Sequence, residues 1–285
     1  MNVSELKKES NPFSFYKTLI TLIIVLVIVQ SWNDTGMNLS FLIDGGKYMH
    51  EYIIGNPDIE NSGFFPPNLK ANVLEVYLLA MLETIQMAVI ALLLSVLIAV
   101  PLSYMSSRNI LDILIPGKTP FHELIKKTMY GIATLIANIF RSINEIIWAL
   151  IFVSAVGLGP MAGILALAIH TAGVLCKLLS EGNEAIDPGP VEALTTTGAG
   201  FIKVLVFAVI PQTMPHFISM VLYRFESDVR SASILGFVGA GGIGFYLFDK
   251  MRSFENGDVC TIIIIIVITV WALDKISSVI RKRFI

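Results

Sequence analysis

The sequence predicts an all-α membrane protein of about six transmembrane helices, and three observations predict it. Of the 285 residues, 55% are hydrophobic and 15% are charged, at a mean hydropathy of +0.75. A soluble domain carries roughly 25% charged residues. The apolar residues gather in runs that reach the ~20 helical residues needed to cross a hydrocarbon core about 30 Å thick. Within these runs they occupy all faces, with no strand-like alternation. In lipid only helices and closed barrels pair every backbone N–H and C=O, and without the alternation a barrel strand needs the helix is the one that fits.

In chain order the spans are residues 16–32, 76–106, 124–156, 161–179, 204–223 and 259–279. The first is followed by Trp32-Asn33-Asp34 rather than a small-residue cleavage site, so it reads as a retained span. The third is too long for one straight crossing and too short for two with a turn. Its apolar halves flank Arg141-Ser142-Ile143-Asn144-Glu145. One interrupted span and two short spans are the alternatives.

Charge placement decides between them. Six spans with both termini in the cytoplasm put Lys7, Lys8, Lys17, Arg108, Lys118, Lys126, Lys127, Lys177, Lys203, Lys275, Arg281, Lys282 and Arg283 inside, most of the 20 lysines and arginines. Seven spans would separate Arg281-Lys282-Arg283 from Lys7-Lys8. The reading is therefore six spans, with one interrupted helix, in a multi-pass protein of the cell (inner or plasma) membrane. Residues 1–72 form an N-terminal span plus an extracytoplasmic loop, with Pro57, Pro66 and Pro67 and one short helix over 41–52. Residues 73–285 form the membrane core, with cytoplasmic connections at 105–122 and 181–200.

The second connection carries a local signal. Pro188 and Pro190 suit the start of a helix, where a missing N–H costs nothing. Glu192 then falls in the first turn, where negative charge suits the helix dipole. Gly198 suits the end. The product is a short helix on the cytoplasmic face. It is either an ordinary capped connector or a knob that docks into a groove on a soluble partner.

Glu192-Ala193-Leu194, three residues, Gly198, then twelve residues to Pro211 resemble the EAA loop of ATP-binding cassette (ABC) importer permeases, with Leu194 in place of its second Ala and Ala208 and Ile210 in place of its usual Ile and Leu. The stretch from Arg141 to Leu150, Gly157-Leu158-Gly159-Pro160, Leu222-Tyr223-Arg224-Phe225-Glu226 and the run from Gly236 to Gly244 resemble the phosphonate branch of that family. Asn144 stands where that branch commonly has proline. The resemblance implies a type I ABC importer permease (MetI-like) fold, with residues 188–200 as a coupling helix. It implies that Glu192, Ala193, Gly198, Ala199 and Pro211 carry the contact with an ATPase. The partners implied are a second permease subunit in a homo- or heterodimer, two ATPase subunits that hold ATP and Mg, and an extracytoplasmic substrate-binding protein. The implied cargo is a phosphonate or a related phosphorus oxyanion such as phosphate or phosphite. A permease for another small solute such as methionine is the rival within the family.

Charged groups inside a bilayer cost at least ~2.5–3.5 kcal/mol and so face a bundle interior or a wet cavity. Arg141 and Glu145 lie mid-span four residues apart, a spacing that allows them to pair, and Asn138 and Ser142 are close in sequence. His170 lies midway along the fourth span. Arg224 and Arg230 flank Glu226 and Asp228 just past the fifth, where with Ser231 they would sit near the outer mouth. Asn138, Arg141, Ser142, Glu145, His170, Arg224, Arg230 and Ser231 are thus candidates for an anion path. The alternative is a set of structural pairs. Arginine suits phosphorus oxyanions because its planar fork makes paired charge-assisted hydrogen bonds.

Other signals bound the chemistry. Gly239, Gly241, Gly242 and Gly244 lie in a run that satisfies the G-x-G-x-x-G pattern, but between two spans, without the strand and βαβ unit a dinucleotide site needs. They read instead as a short re-entrant element near a gate. No phosphate loop of the form G-x-x-x-x-G-K-[ST] occurs, so ATP hydrolysis is expected in a partner. The four histidines are scattered and Cys176 and Cys260 lie apart, so no metal site, bound cofactor or catalytic residue is expected, and nucleic acid is not an expected partner. An out-of-class alternative is a membrane-embedded enzyme with Arg141, Glu145 and His170 as its catalytic cluster.

Overall fold

The computed structural model describes residues 15–36, 39–55, 62–117 and 119–284. Lys7, Lys8, Lys118 and Pro57, used in the topology reading above, lie outside the described residues. The chain divides into two compact units, Met1–Ile53 and Ile54–Ile285. Regular structure among the described residues is entirely helical.

The first unit holds α1, Phe15–Asp34, and nearly all of α2, Leu39–Ile54. Helix α1 is apolar on every side and buries none of its residues within the chain. Such a helix requires an apolar solvent. Helix α2 falls where the short helix over 41–52 is expected.

The second unit begins before the 72/73 boundary expected from hydropathy. Polar contacts that hydropathy does not register tie residues ahead of that boundary to the unit. Asn256 Nδ2 donates to the Ser62 carbonyl at 2.5 Å, and Asn68 N donates to the Gly257 carbonyl at 3.2 Å. Its helices are α3 (Ala71–Met105), α4 (Arg108–Leu114), α5 (Pro120–Ser142), α6 (Glu145–Val156), α7 (Pro160–Glu184), α8 (Pro188–Thr196) and α9 (Phe201–Val204). A π-helical turn, Leu205–Val209, leads into α10 (Ile210–Leu235). A 3₁₀ turn at Gly236–Val238, α11 (Ile243–Arg252) and α12 (Asn256–Phe284) complete the unit.

Among the described residues five helical stretches are long and apolar enough to cross a membrane, and the bent pair of α5 and α6 makes a sixth crossing if it forms one span. The two helices meet at 89° across Ile143 and Asn144. Asn144 is the N-cap of α6, with its side chain accepting from Ile146 N at 3.0 Å. The break therefore stands at the position where the phosphonate branch commonly has proline, and here a side-chain cap makes it.

Helix α7 is the centre of the unit and packs against α3, α5, α6 and α10. Its buried face is rich in small residues, among them Ala162, Gly163, Ala166, Ala168, Ala172 and Gly173. Small residues permit close backbone approach, and in lipid van der Waals packing has to hold helices together without a hydrophobic drive between them. Gly173 shows how close. A Cβ there would lie 2.6 Å from the Arg141 nitrogen and 2.8 Å from the Ala137 carbonyl. Gly173→Ala is expected to destabilise the chain by about 1–3 kcal/mol through overpacking. Thermal unfolding of the purified protein checks this, with Gly45→Ala, where a Cβ meets nothing within 4 Å, as the neutral control.

The unit has two distinguishable ends. At one, the N-terminus of α7 meets the glycine turn before α11, with Gly159 N donating to the Gly239 carbonyl at 2.9 Å. At the other, α7 ends beside α4, where Arg108 N donates to Glu184 Oε1 at 3.1 Å, and α8 and α9 follow. Helix α4 lies in the connection that the sequence reads as loop. Its seven residues are too few to show a helical period.

Candidate translocation path and docking helix

Helix α8 forms where the proline and glycine signals place it, with two refinements. Asp187 caps it by accepting from Gly189 N at 3.0 Å, so Pro188 is the first helical residue. Glu192 consequently lies in the second turn and not the first. Gly198 follows the C-cap Thr197 with φ +78, a left-handed conformation that glycine adopts without a side-chain clash. Glu192, Ala193 and Gly198 are exposed and Ala199 is half-buried.

A second tie anchors this helix to α10. Asp187 N donates to Gln212 Oε1 at 3.0 Å, and Gln212 Nε2 donates to the Ala208 carbonyl at 2.9 Å. Pro211 has no N–H to offer the preceding turn, which here widens into the π-helical turn Leu205–Val209. Gln212 thus occupies a backbone acceptor near that irregularity while holding the α8 N-terminus. The Asp-Pro pair signals the cap in sequence; no pattern signals the Gln212 tie.

The mid-membrane polar residues form a network different from the one their spacing suggests. Arg141 and Glu145 do not pair. The 89° bend between them removes the helical register that would bring residues four apart together. Arg141 instead donates from Nε to Asn138 Oδ1 at 3.0 Å and stays exposed, and Ser142 Oγ donates to the Asn138 carbonyl at 2.5 Å. Glu145 turns the other way. Ser231 Oγ donates to its Oε1 at 2.7 Å, and His170 Nε2 lies 3.5 Å from its Oε2. His170 Nδ1 donates to the Ile143 carbonyl at 2.9 Å, which closes the break against α7. The Arg141–Glu145–His170 cluster required for a membrane enzyme is therefore not assembled.

Arg224, Arg230 and Ser231 are not past the end of a span. They lie within a helical stretch, Phe201–Val238, that outruns the apolar window at 204–223. The charges depress hydropathy but the helix persists, because neighbouring groups neutralise each of them. Arg224 donates to Asp228 Oδ1 and to Thr171 Oγ1, both at 2.9 Å, and Thr171 Oγ1 donates to Asp228 Oδ1 at 2.7 Å. Asp228 is fully buried and Arg224 nearly so. Arg281 bonds Glu226, and Arg230 lies 3.8 Å from Asp274, both pairs stitching α10 to α12. Thr171 and Asp228 are central to this cluster and were not among the site candidates. The Arg224–Asp228 spacing of four is visible in sequence, whereas Thr171 reaches both from a different helix and no motif signals it.

The glycine run reverses the chain. Gly239, Gly241 and Gly242 have φ of +82, +81 and +71, and Ile243 N donates to Thr84 Oγ1 at 2.8 Å. Helix α11 then packs back on α10 and the 3₁₀ turn. Gly244 lies where a Cβ would meet the Ser233 carbonyl at 2.1 Å. A clasp holds the far end of α11. Lys250 bonds Glu255 at 2.9 Å and lies 3.9 Å from Asp258, which also accepts from Tyr77 OH at 2.9 Å. The Glu255 carboxylate holds the Lys250 ammonium pKa above its ordinary value despite partial burial.

Residues 123–285 match the family described as the binding-protein-dependent transport system inner membrane component. The chain belongs to that family, the membrane subunits of ABC importers, and is a transport component rather than an enzyme. It is 36% identical over 220 residues to the phosphate-import permease protein PhnE of Mycolicibacterium smegmatis, covering 77% of this chain and 39% of that one. It thus spans well under half the length of that relative. It is 35% identical over 204 residues to the phosphite transport system permease protein PtxC of Stutzerimonas stutzeri, covering 72% of this chain and 70% of that one. A chain of the inward-facing MetNI methionine ABC transporter superposes with a TM-score of 0.64 at 20% identity, covering 76% of this chain and 100% of that one. That likeness shows the type I permease fold that the motifs imply.

Proposed function

We propose that this chain is the permease subunit of an ABC importer for a phosphorus oxyanion, a phosphonate, phosphate or phosphite, and couples transport to a separate ATPase through α8. The observation that carries this reading is the exposed, doubly anchored α8. A surface helix capped by Asp187 and tied to α10 by Gln212 transmits force from a soluble partner into the bundle. Glu192, Ala193 and Gly198 present its contact surface, and Ala199 and Pro211 shape its exit and its base. The two relatives handle, by name, phosphate and phosphite, which share a tetrahedral anionic phosphorus centre.

The α8 end is the cytoplasmic end, as the lysine and arginine distribution requires, so both termini lie inside. A second permease copy or homologue completes the path. Two ATPase subunits supply ATP and Mg, and an extracytoplasmic binding protein delivers the anion. Asn138, Arg141 and Ser142 form a polar strip at the break of the third span. Glu145, His170 and Ser231 continue it toward α10. Arg141 is the cation best placed for the anion, because among the described residues its side chain bonds only a neutral amide. Arg224 and Arg230 set the local potential from within their ion pairs. Gly239, Gly241, Gly242 and Gly244 build the turn that gates the opposite end. ATP binding and release rock these elements between two access states.

Uptake by proteoliposomes containing this chain, its ATPase and its binding protein tests the reading. ATP-dependent accumulation of labelled phosphate, phosphite or methylphosphonate is expected. Accumulation of methionine with none of these would overturn the cargo assignment. Arg141→Ala is expected to lower uptake by at least about tenfold, equivalent to about 1.4 kcal/mol of lost anion stabilisation, while the ATPase still co-purifies. Unchanged uptake would remove Arg141 from the path.

A further inference from the structure

A cleft of about 750 Å³ opens at the α8 end, between α4 and the first half of α5. Its charges are unevenly satisfied. Asp112 and Glu123, both lining the cleft, hold Lys126 at 2.8 and 3.4 Å, and Lys126 also donates to the Gly117 carbonyl at 3.3 Å. Arg108 and Lys127 line the same cleft, and both are exposed. Among the described residues neither has a carboxylate at ion-pair distance. The Arg108 guanidinium instead lies over the Tyr130 ring, 5.0 Å from its centroid. The cleft therefore offers two side-chain cations that, among the described residues, have no ion-pair partner, beside apolar wall from Leu111, Leu124 and Gly131.

The same helix carries a second, independent feature. Phe121, Leu124, Ile132, Leu135 and Ile139 are all exposed and recur at helical spacing, so one face of α5 is an apolar stripe. Leu124 belongs to both the stripe and the cleft. Cations at a helix end, next to an apolar face that continues along the helix axis, match the layout of a phospholipid: an anionic phosphodiester above and acyl chains below.

We infer that this cleft binds one anionic phospholipid of the leaflet on the α8 side, its phosphodiester held by Arg108 and Lys127 and its chains along the α5 stripe. A soluble phosphorus oxyanion could use the two cations but would leave the stripe unmatched. The inference uses the membrane embedding of α5 and does not depend on which anion the chain transports. The site lies beside the ends of α7 and α9, so the lipid braces the frame from which α8 projects.

The test uses the full chain in nanodiscs of equal phosphatidylglycerol and phosphatidylcholine, released and examined by native mass spectrometry during graded delipidation. Retained lipid is expected to be enriched in phosphatidylglycerol by roughly tenfold or more. Arg108→Gln with Lys127→Gln is expected to bring the ratio to near parity, and Lys127→Gln alone to lower it in a chain whose fold the exposed position does not touch. Arg252→Gln, at the opposite end, is expected to keep the enrichment. Unchanged enrichment in both cleft variants overturns the inference. Displacement of phosphatidylglycerol by excess inorganic phosphate also overturns it, by assigning the cations to a free anion. Loss of uptake with the enrichment intact counts against the proposed function alone.

Discussion

Arg224→Met is expected to destabilise the folded chain by about 3–5 kcal/mol, because it leaves the fully buried Asp228 carboxylate without its cation. Arg224, Asp228 and Thr171 form a closed triangle in which one carboxylate oxygen accepts from both partners. With the arginine gone, Thr171 alone faces a buried negative charge. Replacing both charges, as Arg224→Met with Asp228→Leu, is expected to recover most of the loss, since an apolar pair of similar volume avoids the desolvation cost. For a chain of this size the single variant should melt about 10 °C lower. Equal melting temperatures for the single and double variants would show that the triangle does not hold α7 to α10.

The second large effect is expected at α8. Gly198→Asp places a side chain at φ +78, at the end of an exposed helix whose contact surface is small and smooth. Two consequences follow together. The left-handed conformation becomes costly for a residue with a Cβ, though less so for aspartate than for most. A negative charge also enters the surface proposed to meet the ATPase, beside the C-terminal end of the helix dipole, where negative charge is unfavourable. Substrate-stimulated ATPase activity of the assembled importer is expected to fall on the order of tenfold or more, equivalent to at least about 1.4 kcal/mol of docking energy. Membrane insertion and the melting temperature of the isolated chain should stay near those of the parent. Gln212→Leu is the companion variant. It leaves the α8 surface intact but removes the tie to α10, so the ATPase should still bind while its turnover ceases to respond to substrate. Normal stimulation in both variants would sever α8 from the coupling role.

Helix α8 was legible because its signals are local: a proline start, a glycine end and a characteristic spacing to Pro211. The Gln212 anchor was not, because it joins residues 25 positions apart through a geometry that only folding creates. The spans were legible because a bilayer imposes a length and an apolarity on each crossing independently of its neighbours. Helix ends were not, since Arg224 through Arg230 lower hydropathy while an ion pair within α10, ion pairs to α12 and hydrogen bonds to Thr171 of α7 keep the helix intact. The break of the third span was located at its charged pentapeptide. The Arg141–Glu145 pair that their spacing allows needs a straight helix, and the bend sends Arg141 toward Asn138 and Glu145 toward His170 and Ser231.

By itself the sequence determined the class of the protein: a helical membrane subunit, its apolar crossings, the short helix α8 and its family. Hydropathy and capping act over a single turn or a single span, so those features need no knowledge of neighbours. The tertiary structure alone decided which charges meet. Ion pairs in a low-dielectric interior form wherever helix crossings bring partners within reach, and those crossings depend on small residues such as Gly173 and Gly244 and on the direction a broken helix takes.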